Sequence, residues 1–321
     1  MTNFFRSLVL LLLSFAFPAS AFDLQAHRGG RGLMPENTLP AFENALALGI
    51  DTLELDIGVT ADGVVVISHD PYLNPLIVRD AAGQFLPAGK GPLIRSLSFA
   101  QLQAYQLGRI QPGTPYANTF SSQQGRDGVR MPALASLFDR VKALGASDVR
   151  FNIETKLEPG QPDDTVGPEA MTRALLQAVQ EAGMTARVTI QSFDWRTLQL
   201  VQQLEPRIPT VYLTIQTASA DNVRDGWTAG FRLADHGSVP RLVKAAGGAV
   251  WSPNGGAVTE ALVQEAQALG LKVVPWTINA PADLERMMDW GVDGLITDYP
   301  DRLREVMRQR KLPLPRAVFV R

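Results

Sequence analysis

The stretch "DLQAHRGGRGLMPENTLPAFENALALGIDTLELDIGV", residues 23–59, has the pattern of one strand–helix–strand unit. Residues 23–27 are predicted to form a strand, residues 38–49 an amphipathic helix that stops at Gly49, and residues 51–59 a second strand. A helix between two strands is typical of a parallel sheet. The unit therefore predicts an α/β fold.

The same alternation continues along the chain. Further strands are predicted at residues 64–70, 149–156, 187–193, 210–215, 249–253, 272–278 and 294–297, with helices such as 168–183 and 258–270 between them. A tight turn precedes residues 64–70, so that strand is expected to pair antiparallel with its predecessor. Eight strands remain, and eight βα units predict a TIM (β/α)8 barrel. An open, doubly wound sheet is the alternative.

The first 21 residues are predicted to be a secretory signal peptide. Arg6 gives a positive start, residues 7–17 form a short apolar segment, and residues 19–21 are a small-residue cleavage site. An uncleaved membrane anchor is the alternative, although the apolar segment is short for a span. The chain has no cysteine, so its exported form is expected to fold without disulfides. We expect a periplasmic protein with no stable membrane insertion after cleavage.

The rest of the chain is expected to form one TIM-barrel domain, residues 22–310, and a tail, residues 311–321. Residues 71–132 are rich in Pro, Gly and polar residues and interrupt the strand–helix alternation. An irregular segment this long is usually functional or disordered, and we expect an inserted cap over the site. The balance of 30 basic and 32 acidic residues argues against a nucleic-acid partner. The oligomeric state is not predictable.

Two histidines and three carboxylates are predicted to meet at one rim of the barrel. His27 and His69 end their strands, and active sites of TIM barrels lie at that end. Glu54 and Asp56 are two residues apart and share the inner face of their strand, where unpaired carboxylates would be costly. Glu154 occupies a similar place in a later strand. Three carboxylates without a thiolate favour Mg²⁺ or Ca²⁺ over zinc.

The neighbouring residues favour an anionic substrate. Arg28 and Lys156 lie beside the predicted cation site, and phosphate is the anion that best suits such a set. Two histidines suit a general acid and a general base on opposite sides of a displacement. If a two-residue turn closes the hairpin, Asp56 lies opposite His69.

Each of these features also has a structural interpretation. A single histidine at a strand end is more often a satisfied structural residue than a catalytic one. A Glu-x-Asp pair in a strand, taken alone, is more often solvated than bound to a metal. Glu36 and Asn37 can simply cap the first helix, and the glycines that follow Arg28 can simply shape a turn. The coincidence of several unusual polar strand ends at one level of the barrel favours the functional interpretation.

These residues resemble the glycerophosphodiester phosphodiesterase family. The resemblance rests above all on residues 26–71, "AHRGGRGLMPENTLPAFENALALGIDTLELDIGVTADGVVVISHDP", and extends to about residue 305. Further matching motifs are "MPALASLFDRV" (131–141), "FNIETK" (151–156), "QSFDW" (191–195), "VVPWTIN" (273–279) and "GVDGLITDYP" (291–300).

The resemblance implies a TIM barrel that hydrolyses glycerophosphodiesters to sn-glycerol 3-phosphate and an alcohol. The matching positions imply these roles: His27 and His69 as the catalytic pair, Glu54, Asp56 and Glu154 as ligands of Mg²⁺ or Ca²⁺, Arg28 and Lys156 as phosphate-binding residues, and Trp276 as an aromatic lining of the substrate pocket. Trp276 can equally be part of the barrel packing. In the family the glycerol 2-hydroxyl is thought to attack phosphorus, giving a cyclic phosphate that water opens.

Two other functions compete with this one. A phospholipase C or D type enzyme would act on phospholipid, although the mature chain lacks a basic amphipathic helix suited to membranes. A periplasmic binding protein would keep the cation site without the chemistry, but both histidines are present.

Overall fold

The computed structural model describes residues 22–224 and 226–319, so the predicted signal peptide lies outside the described residues. The described part of the chain forms nine strands: β1 Asp23–Ala26, β2 Thr52–Val59, β3 Val65–Ile67, β4 Arg150–Thr155, β5 Val188–Ser192, β6 Thr210–Thr214, β7 Val250–Pro253, β8 Lys272–Val273 and β9 Gly294–Thr297. All nine lie within the predicted strand segments.

Eleven α-helices accompany these strands in the described residues. They are α1 Leu39–Leu48, α2 Phe99–Leu102, α3 Pro115–Thr119, α4 Leu134–Ala143, α5 Pro168–Glu181, α6 Trp195–Leu204, α7 Leu233–His236, α8 Val239–Ala245, α9 Glu260–Ala268, α10 Pro281–Asp289 and α11 Pro300–Gln309. The first helix has the predicted limits, because Thr38 caps its start and Gly49 its end.

Eight strands pair in parallel in the order β8-β7-β6-β5-β4-β2-β1-β9. The two end strands also approach each other: the Asp293 amide donates to the Val273 carbonyl, and the Ile296 amide donates to the Pro275 carbonyl. The sheet is therefore a nearly closed barrel surrounded by helices. This arrangement confirms the predicted TIM barrel and excludes the open, doubly wound sheet.

The hairpin between β2 and β3 is antiparallel, as predicted, but its register differs from the prediction. Ile57 pairs with Ile67, and the Ser68 amide donates to the Asp56 carbonyl at 2.9 Å. The expectation that Asp56 lies opposite His69 is therefore wrong by one residue. The reason is a turn longer than two residues, in which the Thr60 amide donates to the Val64 carbonyl.

The predicted strand 272–278 is regular only over β8. Pro275 has no N–H to donate to a ladder, which ends the regular pairing. The following residues stay beside β7, because the Trp276 amide donates to the Pro253 carbonyl at 3.0 Å. The segment therefore remains part of the barrel wall in irregular form.

The insertion at residues 71–132 contains α2 and α3. Its apolar side chains form a small core with Val66 of β3; the insertion residues in it are Leu73, Val78, Ile94, Leu102, Leu107 and Met131. The insertion lies against the loop between β1 and α1. The Gln124 amide donates to the Leu33 carbonyl, and the Gln123 side chain donates to the Arg31 carbonyl. The insertion is therefore fixed at the rim where β1 ends.

The described part of the predicted tail packs on the barrel without forming a helix or strand. The Val318 amide donates to the Leu46 carbonyl at 2.9 Å, and Arg304 donates to the Pro315 carbonyl at 2.8 Å. Among the residues that the structure describes, no helix has both the length and the apolar character needed to cross a membrane.

Candidate active site

The predicted polar residues meet at the C-terminal rim of the barrel. Glu54 and Asp56 lie on β2, Glu154 lies on β4, and His27 directly follows β1. His69 comes two residues after β3. Parallel strands end at one level of a barrel, and this brings residues far apart in the sequence into one cluster.

The three carboxylates form a compact group. One oxygen of each of Glu54, Asp56 and Glu154 lies within 4.8 Å of the others, and all three side chains are buried. Burial and the neighbouring carboxylates raise the pKa of Glu54 well above its usual value. Burial, partly offset by Lys156, raises the pKa of Glu154 to about 7. Burial also opposes ionisation of Asp56, but Arg28, His69, Lys156 and the Asn37 hydrogen bond together outweigh it and lower the pKa of that carboxyl.

The carboxylate group fits a divalent cation. Asp56 Oδ1 is buried and has no hydrogen-bond partner among the described residues. The nearest cationic atom paired with it, Lys156 Nζ, lies at 3.9 Å. A buried oxygen without a donor is costly, and several carboxylates in contact repel one another. A cation bound to the three carboxylates removes both penalties, and an all-oxygen set suits a hard ion.

His27 is oriented by a buried carboxylate. Its Nδ1 lies 2.6 Å from Asp298 Oδ1, and its Nε2 lies 4.0 Å from Glu54 Oε2. Burial, together with the charge of Arg31, lowers the pKa of His27 to about 4. The ring is therefore neutral at pH 7, with its proton on Nδ1 facing Asp298 and its Nε2 lone pair facing the site.

His69, which follows β3, is oriented in the same way as His27, with a carboxylate at its Nδ1. Its Nδ1 lies 3.1 Å from Asp70 Oδ1, and its Nε2 lies 3.1 Å from Lys156 Nζ. Burial and the charges of Arg28 and Lys156 lower the pKa of His69. Because an ammonium group can only donate, Nε2 of His69 accepts and Nδ1 carries the proton. Both histidines thus present a basic Nε2 to the site.

Arg28 and Lys156 supply positive charge beside the carboxylates. Lys156 Nζ lies 2.9 Å from Glu154 Oε1, and Arg28 Nη1 donates to Glu36 Oε1 at 2.9 Å. The Nε atom of Arg28 lies 3.4 Å from Asp56 Oδ2. This Nε atom makes no hydrogen bond within the described residues. Both side chains therefore place positive charge directly beside the carboxylate group.

The backbone around Arg28 is held in an unusual conformation. Arg28 has a φ of 51° and Gly29 a φ of 80°, both in the left-handed region. A Cβ added to Gly29 would lie 2.9 Å from the Ala41 Cβ. The turn lets the Arg28 amide donate to Glu54 Oε2 at 2.8 Å. The glycine therefore does more than shape a turn, because it allows the contact between α1 and the site.

Comparisons with known proteins agree with this geometry. A family model described as the glycerophosphoryl diester phosphodiesterase family matches residues 27–302. The chain belongs to that family. A glycerophosphodiester phosphodiesterase of Caldanaerobacter subterraneus subsp. tengcongensis is 27% identical over 288 residues, which is 88% of this chain and 97% of that protein.

Two further proteins extend the comparison. A human lysophospholipase D is 26% identical over 304 residues, covering 90% of this chain and 86% of its own. A solved structure from Silicibacter pomeroyi, of a protein assigned as a glycerophosphoryl diester phosphodiesterase, is 34% identical with a TM-score of 0.82. It covers 92% of this chain and 96% of that one. The predicted family is confirmed, and the chain is an enzyme with glycerophosphodiester phosphodiesterase activity.

Glu36 and Asn37, which the sequence also allowed as simple helix caps, contact residues of the candidate active site instead. Glu36 pairs with Arg28, and Asn37 donates to Asp56 Oδ2 at 3.0 Å, while Thr38 caps the helix. Tyr116 of the insertion donates to Glu36. Local sequence could not reveal these contacts, because the partners of Asn37 and Tyr116 are distant in the chain.

Trp276 makes its contacts with Phe193 and Ser252. Its ring packs edge-on against Phe193 at 5.3 Å, and its Nε1 donates to the Ser252 carbonyl at 2.9 Å. Phe193 in turn lies under Lys156 Nζ at 5.6 Å and lines a cleft of about 510 Å³ that His69 borders. Trp276 therefore adjoins the cleft through its contact with Phe193.

Proposed function

We propose that this enzyme hydrolyses glycerophosphodiesters to sn-glycerol 3-phosphate and an alcohol, with Mg²⁺ or Ca²⁺ held by Glu54, Asp56 and Glu154. The observation that carries the proposal is the convergence of these buried carboxylates with two neutral histidines. The cation, when bound, would neutralise charge that develops on the phosphoryl oxygens. Family membership and the curated relative support the substrate class.

The two histidines are proposed as the acid–base pair. Each keeps its Nδ1 on a carboxylate, Asp298 for His27 and Asp70 for His69, so each Nε2 faces the site. Nε2 of His69 becomes available to substrate when Lys156 Nζ, 3.1 Å away, moves to the phosphate. One ring, neutral at Nε2, takes the proton of the attacking hydroxyl, while the other, which first takes up a proton at Nε2 from water, gives it to the departing alcohol. The roles reverse when water opens the resulting cyclic phosphate. This sequence follows the mechanism that the family resemblance implies.

Arg28 and Lys156 are proposed to bind the phosphodiester. A phosphodiester carries a negative charge that grows during attack, and preorganised cations stabilise it in a buried site. Arg28 has an Nε group without a hydrogen bond within the described residues, and Lys156 can move its ammonium from His69 Nε2 to a phosphate oxygen. Trp276 is proposed to line the pocket for the rest of the substrate.

The test is product formation from glycerophosphocholine. Glycerol 3-phosphate should appear with wild-type protein, disappear with EDTA and return with Mg²⁺ or Ca²⁺. A His69→Ala variant should release none at the same cation concentration. Product that is unaffected by EDTA would contradict the cation's role, and product from the variant would contradict the role of His69.

The similarity to a human lysophospholipase D favours a second candidate substrate, a lysophospholipid. Parallel assays with lysophosphatidylcholine and glycerophosphocholine distinguish the two. The proposal predicts a higher kcat/KM for glycerophosphocholine, and the reverse order would favour the lipid substrate. Cation binding without turnover of either substrate would indicate a binding protein.

Export to the periplasm is part of the proposal, because the predicted signal sequence at residues 1–21 favours it. Cell fractionation and N-terminal sequencing of the mature protein provide the test. A mature chain that starts at Phe22 is expected, and a protein found in the cytoplasm with its N-terminus intact would contradict export.

A further inference from the structure

Three buried amide side chains form a continuous hydrogen-bonded line through the barrel interior. This amide line consists of Gln191 on β5, Asn152 on β4 and Gln25 on β1, which are at most 5% exposed. TIM-barrel interiors are usually filled by branched apolar side chains. Buried amides are stable only when their hydrogen bonds are satisfied, so a line of three needs an explanation.

The upper end of the amide line contacts the carboxylate group. Gln191 Nε2 donates to Glu54 Oε1 at 2.6 Å, while the Arg28 amide donates to Glu54 Oε2 at 2.8 Å. Each oxygen of Glu54 thus receives one fixed donor. A carboxylate oxygen has a further lone pair to offer, so Glu54 is held with its remaining lone pairs free for a cation.

The amide of Gln191 has only one favourable orientation. Its Oε1 accepts from Asn152 Nδ2 at 2.8 Å, so its nitrogen must face Glu54. Asn152 is itself fixed, because its Nδ2 also donates to Gln25 Oε1 at 3.0 Å and its Oδ1 accepts from the Thr189 hydroxyl at 2.9 Å. A flip of either amide would place oxygen against oxygen.

The lower end of the line is anchored by a second carboxylate. Gln25 Nε2 donates to Asp23 Oδ2 at 3.0 Å. Asp23 Oδ1 accepts from the Thr52 hydroxyl at 2.7 Å and pairs with Arg150 at 2.9 Å. The line therefore ends in an acceptor at both ends, and its donors point outward from Asn152 in both directions.

We propose that Gln191 is a positioning residue for the cation site, and that Asn152 fixes the amide orientation on which this depends. The inference rests on the proposed function, since it concerns the cation held by Glu54, Asp56 and Glu154. Groups that orient metal ligands typically contribute about 10–100-fold to metal affinity. The amide line in the barrel interior therefore fixes the position of Glu54 at the proposed cation site.

The test is the affinity for Mg²⁺ and Ca²⁺, measured by calorimetry on purified, metal-free protein. Gln191→Met keeps the side-chain length and removes both hydrogen bonds, so it should weaken cation binding about 10–100-fold. Tyr212→Phe is the matched control, because it removes a buried hydroxyl that donates to the Ala246 carbonyl at 2.7 Å, remote from the carboxylates. The control should lower thermal stability and leave cation affinity within about twofold of wild type.

A milder variant covers the case in which Gln191→Met does not fold. Thr189→Val removes only the hydroxyl that orients Asn152, and it should weaken cation binding in the same direction by a smaller factor. In addition, a cation concentration far above the variant's Kd should restore kcat of Gln191→Met, which a general loss of structure would not allow.

The outcomes separate the two proposals. A wild-type protein that binds neither ion overturns the proposed cation site itself. Wild-type binding with unchanged affinity in Gln191→Met overturns the positioning role alone, and so does an equal loss in Tyr212→Phe. If Gln191→Met does not fold, unchanged affinity in Thr189→Val has the same consequence.

Discussion

Asp298 is predicted to set the reactivity of His27, and Asp298→Asn tests this. The carboxylate accepts from three donors: His27 Nδ1 at 2.6 Å, Arg31 Nε at 2.7 Å and Asn279 Nδ2 at 2.8 Å. Asn279 cannot turn, because its oxygen accepts from the Asp298 amide and the Thr297 hydroxyl. In Asp298→Asn the side-chain NH₂ group takes the place of one carboxylate oxygen. In one orientation this group faces the donors of His27 and Arg31, and in the other it faces the donor of Asn279, so two donors always meet.

The expected loss follows from that conflict. A hydrogen bond to a charged group contributes about 1.5–3 kcal/mol, and about 1.4 kcal/mol corresponds to a factor of ten. If the amide nitrogen faces His27, the ring must take the other tautomer and lose its basic Nε2. We expect kcat for glycerophosphocholine to fall roughly 10–100-fold, with a smaller change in KM.

The assay is initial-rate kinetics at saturating cation, with circular dichroism as a check on folding. Asp293→Asn is the matched control, since that carboxylate accepts from the Val273 amide at 2.8 Å at the opposite end of the barrel. Its kcat should stay within about twofold of wild type. A folded Asp298→Asn enzyme with wild-type kcat would refute the reasoning, as would an equal loss in the control.

Three further predictions concern the turn, the insertion and the cation. Gly29→Ala should lower the free energy of unfolding by about 2–5 kcal/mol, because the added methyl overlaps α1 and the backbone is strained. Gly83→Ala is the control: it has the same φ of 80° but open space around it, so it should lower the free energy of unfolding by only about 1–2 kcal/mol. Urea denaturation measures both values. Tyr116→Phe removes a donor to Glu36, the ion-pair partner of Arg28. Because Arg28 is proposed to bind the phosphate, KM should rise about tenfold with little change in kcat. Because the pKa of Glu154 is about 7 without a cation, lowering the pH below about 7 should weaken cation binding, and calorimetry in two buffers at about pH 6 should detect proton release.

Each of these has a clear contrary result. Equal losses for the two glycine variants would show that the close approach of α1 is unimportant. An unchanged KM in Tyr116→Phe would mean that the insertion does not influence phosphate binding. A cation affinity that is constant from about pH 5.5 to about pH 8 would contradict the protonated state of Glu154.

The sequence was sufficient to predict the barrel and the residues of its rim, because both depend on local patterns. Strand and helix periodicities recur along the chain, and the two-residue spacing of Glu54 and Asp56 puts both on one face of β2. Polar residues at the C-terminal ends of the predicted parallel strands are then expected to lie together on one rim of the barrel. The cap at Thr38 and the stop at Gly49 were also readable from residue type.

The remaining features depend on long-range contacts that local patterns do not encode. The hairpin register depends on the turn geometry around Val64. Asn37 reaches Asp56 only because the left-handed turn at Arg28 brings the loop back over the barrel. Gln191 was visible as part of a family motif, but its contact with Glu54 spans 137 positions.

The cation site is tested most directly by titrating metal-free protein with Mg²⁺ or Ca²⁺ while cation binding and glycerol 3-phosphate release are followed together. We expect one cation per chain and a rate that rises in proportion to occupancy. Asp56→Asn should show neither binding nor release, because it loses one ligand and a charge partner of Arg28. Full activity in the absence of bound cation would show that the three carboxylates do not act through a cation.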